Sequence, residues 1–197
     1  MTSHNRSVKT VFFDVDTQLD FLYPAGALYV PGAEGIVAAL ARLTRFAEIK
    51  HFQIVSTTDA HAEDDLEFKH WKPHCVAGTV GQQKPAATKL ANGVVLNEAI
   101  DVSAPQIIVE KQTLDAFSDP KLRPLLTALE AKRYIVYGVV TEICVRFAAL
   151  GLLETGAQVE LVTDAVQSLN ALDERGFISQ FQARGGILTT TSAVVSE

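Results

Sequence analysis

The sequence predicts an α/β protein: a single domain, spanning residues 1–197, with three α/β/α layers around a mostly parallel six-stranded sheet. Short runs rich in β-branched and aromatic residues alternate with longer segments of helical periodicity, the pattern of a parallel sheet covered by helices. The central runs are almost continuously apolar, as expected of strands buried on both faces. A chain of 197 residues is long enough for one well-buried domain and short for two.

The predicted elements follow in chain order. Bounded apolar runs predict strands at residues 9–15, 52–58, 106–111, 134–140, 158–164 and 186–191. Helical spacing of apolar residues predicts helices at 33–50, 119–132, 141–156 and 168–186. Residues 59–105 fit neither pattern and are dense in His, Asp, Glu and Gly. A long irregular segment that follows a strand in an α/β domain is commonly functional, because ligand sites lie at the carboxyl ends of the strands.

Composition argues against several classes of partner. A formal net charge of −6 leaves no basic surface, so we expect no nucleic-acid partner. No apolar run approaches the length of a membrane span, and the polar start "MTSHNRSVKT" lacks the apolar core of a signal peptide. We therefore expect a cytoplasmic protein. In that compartment Cys75 and Cys144 are not expected to form a structural disulfide, so each thiol needs its own explanation.

The stretch "VFFDVDTQLDF" (11–21) carries two aspartates that resemble the D-x-D-x-T signature of an aspartate-nucleophile phosphatase. That signature requires threonine two positions after Asp16, where Gln18 stands. It also requires a later acidic pair to hold magnesium, and the segment "VTDAV" supplies only Asp164. The phosphatase interpretation therefore fails.

A second constellation fits the predicted strand ends. Asp16 ends the first strand, Lys111 ends the third, and Cys144 opens a helix after the fourth. In a parallel sheet these ends lie along one edge. A thiol nucleophile needs activation, which a helix N-terminus, an ammonium group or a neighbouring carboxylate can provide. Position alone leaves the ordinary alternatives open: a core cysteine, a turn aspartate and a solvated lysine.

The motifs "VDTQLDF", "VEK" and "GVVTEICV" together resemble the isochorismatase-like cysteine hydrolases, the superfamily of nicotinamidase and pyrazinamidase. The segments "PAGALYVPGAE" (24–34) and "PHCVAGTVG" (73–81) extend the resemblance over nearly the whole chain. It implies that Asp16, Lys111 and Cys144 form a catalytic triad. Asp14 is then an additional carboxylate inside the first strand, and we expect it to be partnered there.

The resemblance also implies a metal loop. Asp59, His61 and His74 occupy the family's ligand positions, and one carboxylate with two imidazoles suits one divalent ion, zinc first, with iron or manganese as alternatives. Asp65 or Glu67 stands where some relatives have a fourth ligand. The competing interpretation is a hydrogen-bonded surface loop.

Three aromatic residues match positions that enclose a flat ring in nicotinamidases: Phe21, Trp71 and Phe117. Aromatic residues are core residues by default, but Trp71 lies in a polar loop, where core packing explains it least well. The segment "KQTLDAFSD" departs from the nicotinamidase pattern, with Gln112 in place of glycine and Phe117 in place of tyrosine. This departure concerns the substrate more than the chemistry.

The resulting hypothesis is a cysteine amidohydrolase that converts a small carboxamide, nicotinamide first, to its acid through a thioester. The backbone N–H groups of Val140 and Cys144 are expected to form the oxyanion hole, and the resemblance implies a cis peptide at Val139–Val140. We expect a small-molecule amide substrate and a homo-oligomer. The alternatives are a hydrolase of another amide or carbamoyl compound, and a non-catalytic small-molecule or metal-binding protein on the same scaffold.

Overall fold

A computed structural model describes residues 9–196. Within this part the chain forms one seven-stranded sheet in which every strand pairing is parallel, with the spatial order β3-β4-β2-β1-β5-β6-β7. The strands are β1 (Thr10–Val15), β2 (Gln53–Asp59), β3 (Gly93–Val95), β4 (Gln106–Lys111), β5 (Arg133–Val139), β6 (Gln158–Gln167) and β7 (Ile187–Thr189).

Helices connect these strands and cover both faces of the sheet. They are α1 (Leu19–Leu22), α2 (Val37–Ile49), α3 (Leu122–Leu129), α4 (Arg146–Leu153), α5 (Ala171–Ala183) and α6 (Thr191–Val195). A single π-helical turn, Thr141–Val145, joins β5 to α4, and short 3₁₀ turns lie at Ala33–Ile36, Leu66–Lys69, Ala86–Thr88 and Ala116–Ser118.

The predicted fold class is confirmed, but the strand count of six is wrong. The strand that the sequence does not reveal is β3, which has three residues and lies inside the irregular segment 59–105. It pairs with β4 at the edge of the sheet, and its Val94 and Val95 side chains are exposed. Three residues are too few to show a period of two, so no alternation could have predicted this strand.

The alternation of side chains along β1 shows why the strands are apolar throughout. Val11, Phe13 and Val15 pack into the core layer under α3, α4 and α5, whereas Phe12 packs into the opposite layer under α2 and α6. Both faces of this central strand are therefore buried, which produces the three-layer architecture.

Among residues 9–196, no helix is both long enough and apolar enough to cross a membrane. The polar N-terminal segment, for which the sequence predicts no signal peptide, falls mostly on residues 1–8, outside the described residues.

Asp14 is fully buried in β1 and is partnered, as the sequence predicts. Its carboxylate accepts hydrogen bonds from Thr17 Oγ1 at 2.8 Å and Ser56 Oγ at 3.0 Å, and Lys84 Nζ lies 2.6 Å from Oδ2. Lys84 belongs to the irregular segment, so this buried ion pair fixes the segment to the sheet.

Breaking this ion pair should destabilise the fold. Lys84→Met leaves the Asp14 carboxylate buried without its countercharge, which typically costs about 3–5 kcal/mol in free energy of unfolding. Urea unfolding followed by circular dichroism measures the loss. The exposed Lys89 is the control, and Lys89→Met should change stability by less than about 0.5 kcal/mol. Equal stabilities of the two variants would contradict a structural role for the pair.

Candidate active site

Asp16 lies directly after β1, where the chain leaves the sheet with a φ of 50°. Its side chain is 1% exposed, and Oδ1 accepts a hydrogen bond of 2.6 Å from Thr57 Oγ1. Oδ2 forms an ion pair with Lys111 Nζ at 2.9 Å, which engages only one of the lone pairs of this oxygen. A lone pair on this oxygen is therefore available to receive a proton.

Lys111 is the last residue of β4 and pairs with Asp59 at the end of β2. Its fully buried ammonium contacts both Asp16 and Asp59. Burial disfavours the charged form, but the two carboxylates outweigh it and raise the pKa of Lys111 well above its ordinary value. Lys111 is therefore a fixed positive charge at neutral pH.

Cys144 lies in the π-helical turn that follows β5. The backbone N–H groups of Ile143 and Val145 both donate to Val140 O, at 3.0 and 3.1 Å, and wind this turn. The peptide bond Val139–Val140 is cis, as the family resemblance implies. Val140 and Cys144 line the same cavity as Asp16, and their part in an oxyanion hole stays a prediction.

The environment of Cys144 differs from the sequence-based expectation of a stabilised thiolate. Burial raises the pKa of the Cys144 thiol well above its ordinary value; Lys111 opposes this effect, and the Asp16 and Asp59 carboxylates reinforce it. Burial likewise raises the pKa of Asp16, which makes this carboxylate a stronger base. Burial therefore favours the neutral thiol of Cys144 beside a carboxyl group whose pKa is also raised.

The three predicted metal ligands lie together and are buried. One ligand atom from each of Asp59, His61 and His74 lies within 4.8 Å of the others. Asp59 Oδ2 is 3.8 Å from His61 Nε2 and 3.6 Å from His74 Nε2. Asp59 comes from the end of β2, and His61 forms a parallel bridge with Val76 that returns the loop carrying His74 to the site.

The donor set fits a divalent transition ion. His61 Nε2 is buried and has no hydrogen-bond partner among the described residues. The other ring nitrogens are occupied: His61 Nδ1 is 3.0 Å from Asp65 Oδ2, and His74 Nδ1 is 2.7 Å from Lys72 O. Partners of this kind typically orient metal-binding histidines, here with both Nε2 atoms toward Asp59.

The structure separates the two candidates for a further ligand. Asp65 contacts the far side of the His61 ring, and its other oxygen accepts from Glu67 N at 2.9 Å, so it is placed to orient His61. Glu67 Oε1 lies 3.9 Å from His74 Nε2, and its side chain lines the cavity. Of the two residues, Glu67 is the one that faces the cavity, although among the described residues the closely grouped ligand atoms are those of Asp59, His61 and His74.

The cavity over Cys144 is mostly apolar. Phe21 and Trp71 line it, as predicted, but Phe117 does not. Phe117 packs against Gly151 of α4, with the Arg123 guanidinium 4.9 Å from its ring centroid. Leu114 of the same loop lines the cavity in its place. The residues that sequence reasoning missed are Leu28, Tyr29, Val30, Leu114, Val139, Ile143 and Leu169.

No sequence pattern separates these apolar residues from core residues. Leu169 is the clearest example, because it is 48% exposed and follows β6 in a short loop. Its backbone N–H donates to the buried Glu142 at 2.9 Å, which holds the loop beside the π-helical turn that carries Cys144. Glu142 belongs to the motif "GVVTEICV", so this acidic residue is the one sequence feature that could have indicated a contact with the loop that carries Leu169.

A family model described as "Isochorismatase domain" matches residues 10–193. Nicotinamidase from Escherichia coli is 25% identical over 207 residues, covering 89% of this chain and 92% of that protein. Maleamate amidohydrolase from Pseudomonas putida is 25% identical, covering 80% of this chain and 72% of that protein. The crystal structure of pyrazinamidase from Pyrococcus horikoshii in complex with zinc superposes with a TM-score of 0.78 at 29% identity, covering 92% of this chain and 99% of that chain.

Iodoacetamide should label Cys144 before Cys75 in the native protein. Cys144 lines the cavity and faces a base, whereas Cys75 is fully buried in the apolar core and burial raises the pKa of its thiol far above the ordinary value. Because the pKa of Cys144 is also raised, its labelling rate should continue to rise above pH ~8.5. Peptide mass spectrometry after brief labelling measures both sites. Denatured protein is the control, in which the two should react alike; equal native rates would contradict the assignment.

Proposed function

The chain belongs to the isochorismatase family, and on this premise we propose that it is a cysteine amidohydrolase that releases ammonia from a small carboxamide, with nicotinamide the first candidate. One observation carries the proposal: Asp16 and Cys144 line a single apolar cavity together with Asp59 and His74 of the metal cluster. The names of the relatives support the choice of an amide, because one is a nicotinamidase and another an amidohydrolase of maleamate. We propose one catalytic domain over the whole chain.

The first half-reaction transfers the amide's acyl group to sulfur. As Cys144 Sγ bonds to the amide carbon, its proton passes to Asp16 Oδ2, and the carbonyl π electrons move to oxygen. Asp16 then gives that proton to the amide nitrogen as the tetrahedral intermediate collapses. The C–N bond breaks, ammonia leaves, and a thioester remains on Cys144.

The second half-reaction restores the thiol. Asp16 takes a proton from water, the resulting hydroxide attacks the thioester carbon, and the C–S bond breaks. The proton on Asp16 returns to the Cys144 sulfur, so the net reaction consumes one water and yields a carboxylic acid. Lys111 keeps its charge throughout and holds the Asp16 carboxylate in place through the contact of 2.9 Å.

Each tetrahedral intermediate carries a negative oxygen that needs hydrogen-bond donors. We assign this role to the backbone N–H groups of Val140 and Cys144, which belong to the turn and cavity that carry the nucleophile. Losing one such donor typically costs about 3 kcal/mol of activation free energy.

Asp59, His61 and His74 would hold a divalent ion, with Glu67 as the further ligand. A divalent ion held there would supply a Lewis-acidic centre for a ring nitrogen of the substrate. Phe21 and Trp71 give the cavity two aromatic walls, which suit a flat ring.

A second candidate is hydrolysis of another amide or carbamoyl compound. The position of Phe117 supports this second candidate. Phe117 is not among the residues that line the cavity, so the third aromatic wall expected of a nicotinamidase is replaced by Leu114. An aliphatic wall contributes less to the selection of an aromatic ring.

Cys144→Ala should reduce ammonia release to background because it removes the nucleophile. Purified protein is assayed with nicotinamide, pyrazinamide, maleamate and a set of carbamoyl compounds. Cys75→Ala is the matched control and should keep most of the activity. A Cys144→Ala variant with more than a few per cent of wild-type turnover excludes this thiol as nucleophile. Turnover of carbamoyl compounds alone would favour the second candidate.

Metal analysis should find roughly one divalent transition ion per chain. His61→Ala or His74→Ala should lose it, since each removes a ligand from a set of three or four. His70→Ala is the control from the same loop and should retain the ion, because this exposed side chain is not in the cluster. A metal-free wild-type protein with full activity would refute the site.

A further inference from the structure

β1 ends two residues too early to pair with Asp59, the residue of the metal cluster at the end of β2. β1 pairs with β2 as far as Val15 opposite Thr57, and Asp16 N still donates to Thr57 O at 3.1 Å. The chain then turns away at Asp16. In a parallel ladder the N–H and C=O of alternate residues face the same neighbour, so the backbone of Asp59 faces the side from which β1 has departed.

The side chain of Gln18 occupies the position beside Asp59 that the next residue of β1 would have filled. Its Oε1 accepts from Asp59 N at 2.7 Å, and its Nε2 donates to Asp59 O at 2.8 Å. A carboxamide has the donor and acceptor of a peptide group, so this pair continues the ladder for one more residue. Gln18 is fully buried, and these bonds satisfy backbone groups that would otherwise be buried unpaired.

The same amide also fixes the returning end of the metal loop. The second N–H of Gln18 Nε2 donates to Gln82 O at 2.8 Å. Two residues along, Asp20 Oδ2 accepts from Cys75 N at 2.7 Å, next to the ligand His74. The segment after β1 therefore holds the backbone on both sides of the metal cluster.

We propose that Gln18 is a positioning residue for Asp59, and that its carboxamide replaces the missing peptide group of β1 so that one carboxylate serves both Lys111 and a metal ion. The proposal rests on the metal site of the proposed function. Asp59 has a short side chain, so a small shift of its backbone moves the carboxylate directly. Its Oδ2 must stay between His61 and His74 while Oδ1 stays on Lys111.

The test is the zinc affinity of the full chain, measured by competition with a chromophoric chelator. Gln18→Glu keeps the shape of the side chain and removes the N–H groups that bind Asp59 O and Gln82 O. Gln18→Met removes both polar atoms without burying a charge and serves if Gln18→Glu folds poorly. Both variants should bind Zn²⁺ about 10–100-fold more weakly than wild type.

Gln106 provides the matched control. It is equally buried, accepts from Leu90 N at 2.7 Å and donates to Thr88 O at 2.9 Å, but it lies at the opposite end of β4 from Lys111. Gln106→Glu should lower the melting temperature of the zinc-free protein as Gln18→Glu does, while leaving zinc affinity within about twofold of wild type.

Three results would overturn the proposal. Folded Gln18 variants that bind Zn²⁺ as tightly as wild type would show that Asp59 needs no such support. An equal loss of affinity in Gln106→Glu would show that the effect is general destabilisation. A wild-type protein that binds no divalent ion would overturn the proposed metal site and this inference together.

Discussion

The buried ammonium of Lys111 is the charge on which both halves of the site depend. It contacts Asp16, which we propose as the base for Cys144, and Asp59, a member of the proposed metal cluster. Two carboxylates buried this close together would repel each other strongly, and one would become protonated without the cation between them. Burial raises the pKa of the Asp59 carboxyl, but Lys111 lowers it, and the net effect is a lowered pKa. Lys111 therefore keeps Asp59 ionised. The triad and the metal cluster form one electrostatic unit.

The strand order brings this unit together at one edge of the sheet. β4, β2, β1 and β5 are neighbours, so Lys111, Asp59, Asp16 and the turn bearing Cys144 follow one another across the carboxyl ends. Gly138 makes the close approach of β5 to the end of β1 sterically feasible. A Cβ at this position would lie 2.0 Å from Val15 O, and its φ is +125°. Only glycine allows β5 to pass this close to the end of β1.

Much of this arrangement could be predicted from sequence because it depends on strand ends and on motifs. Asp16, Lys111, Cys144 and the metal cluster lie together as those patterns indicate. What could not be predicted depends on three-dimensional surroundings. The raised pKa of Cys144 follows from burial, which a helix-start argument does not include. Phe117 is in the expected loop, but the loop turns its ring toward α4. The hydrogen bonds between the Gln18 side chain and the Asp59 backbone join residues that are far apart in the sequence, so no local sequence pattern indicates them.

The ligands and the triad are distributed very differently along the chain. Asp59, His61 and His74 come from one segment of 16 residues, whereas Asp16, Lys111 and Cys144 come from three separate strand ends. The residues proposed for bond cleavage therefore belong to the framework of the sheet, whereas the proposed metal ligands come from a single segment. On this proposal, substitutions of the loop residues that line the cavity, Glu67 and Trp71, would change which amides are accepted while the strand ends stay in place. Asp59 alone belongs to both, because it ends β2 and contacts Lys111 while it also lies in the metal cluster.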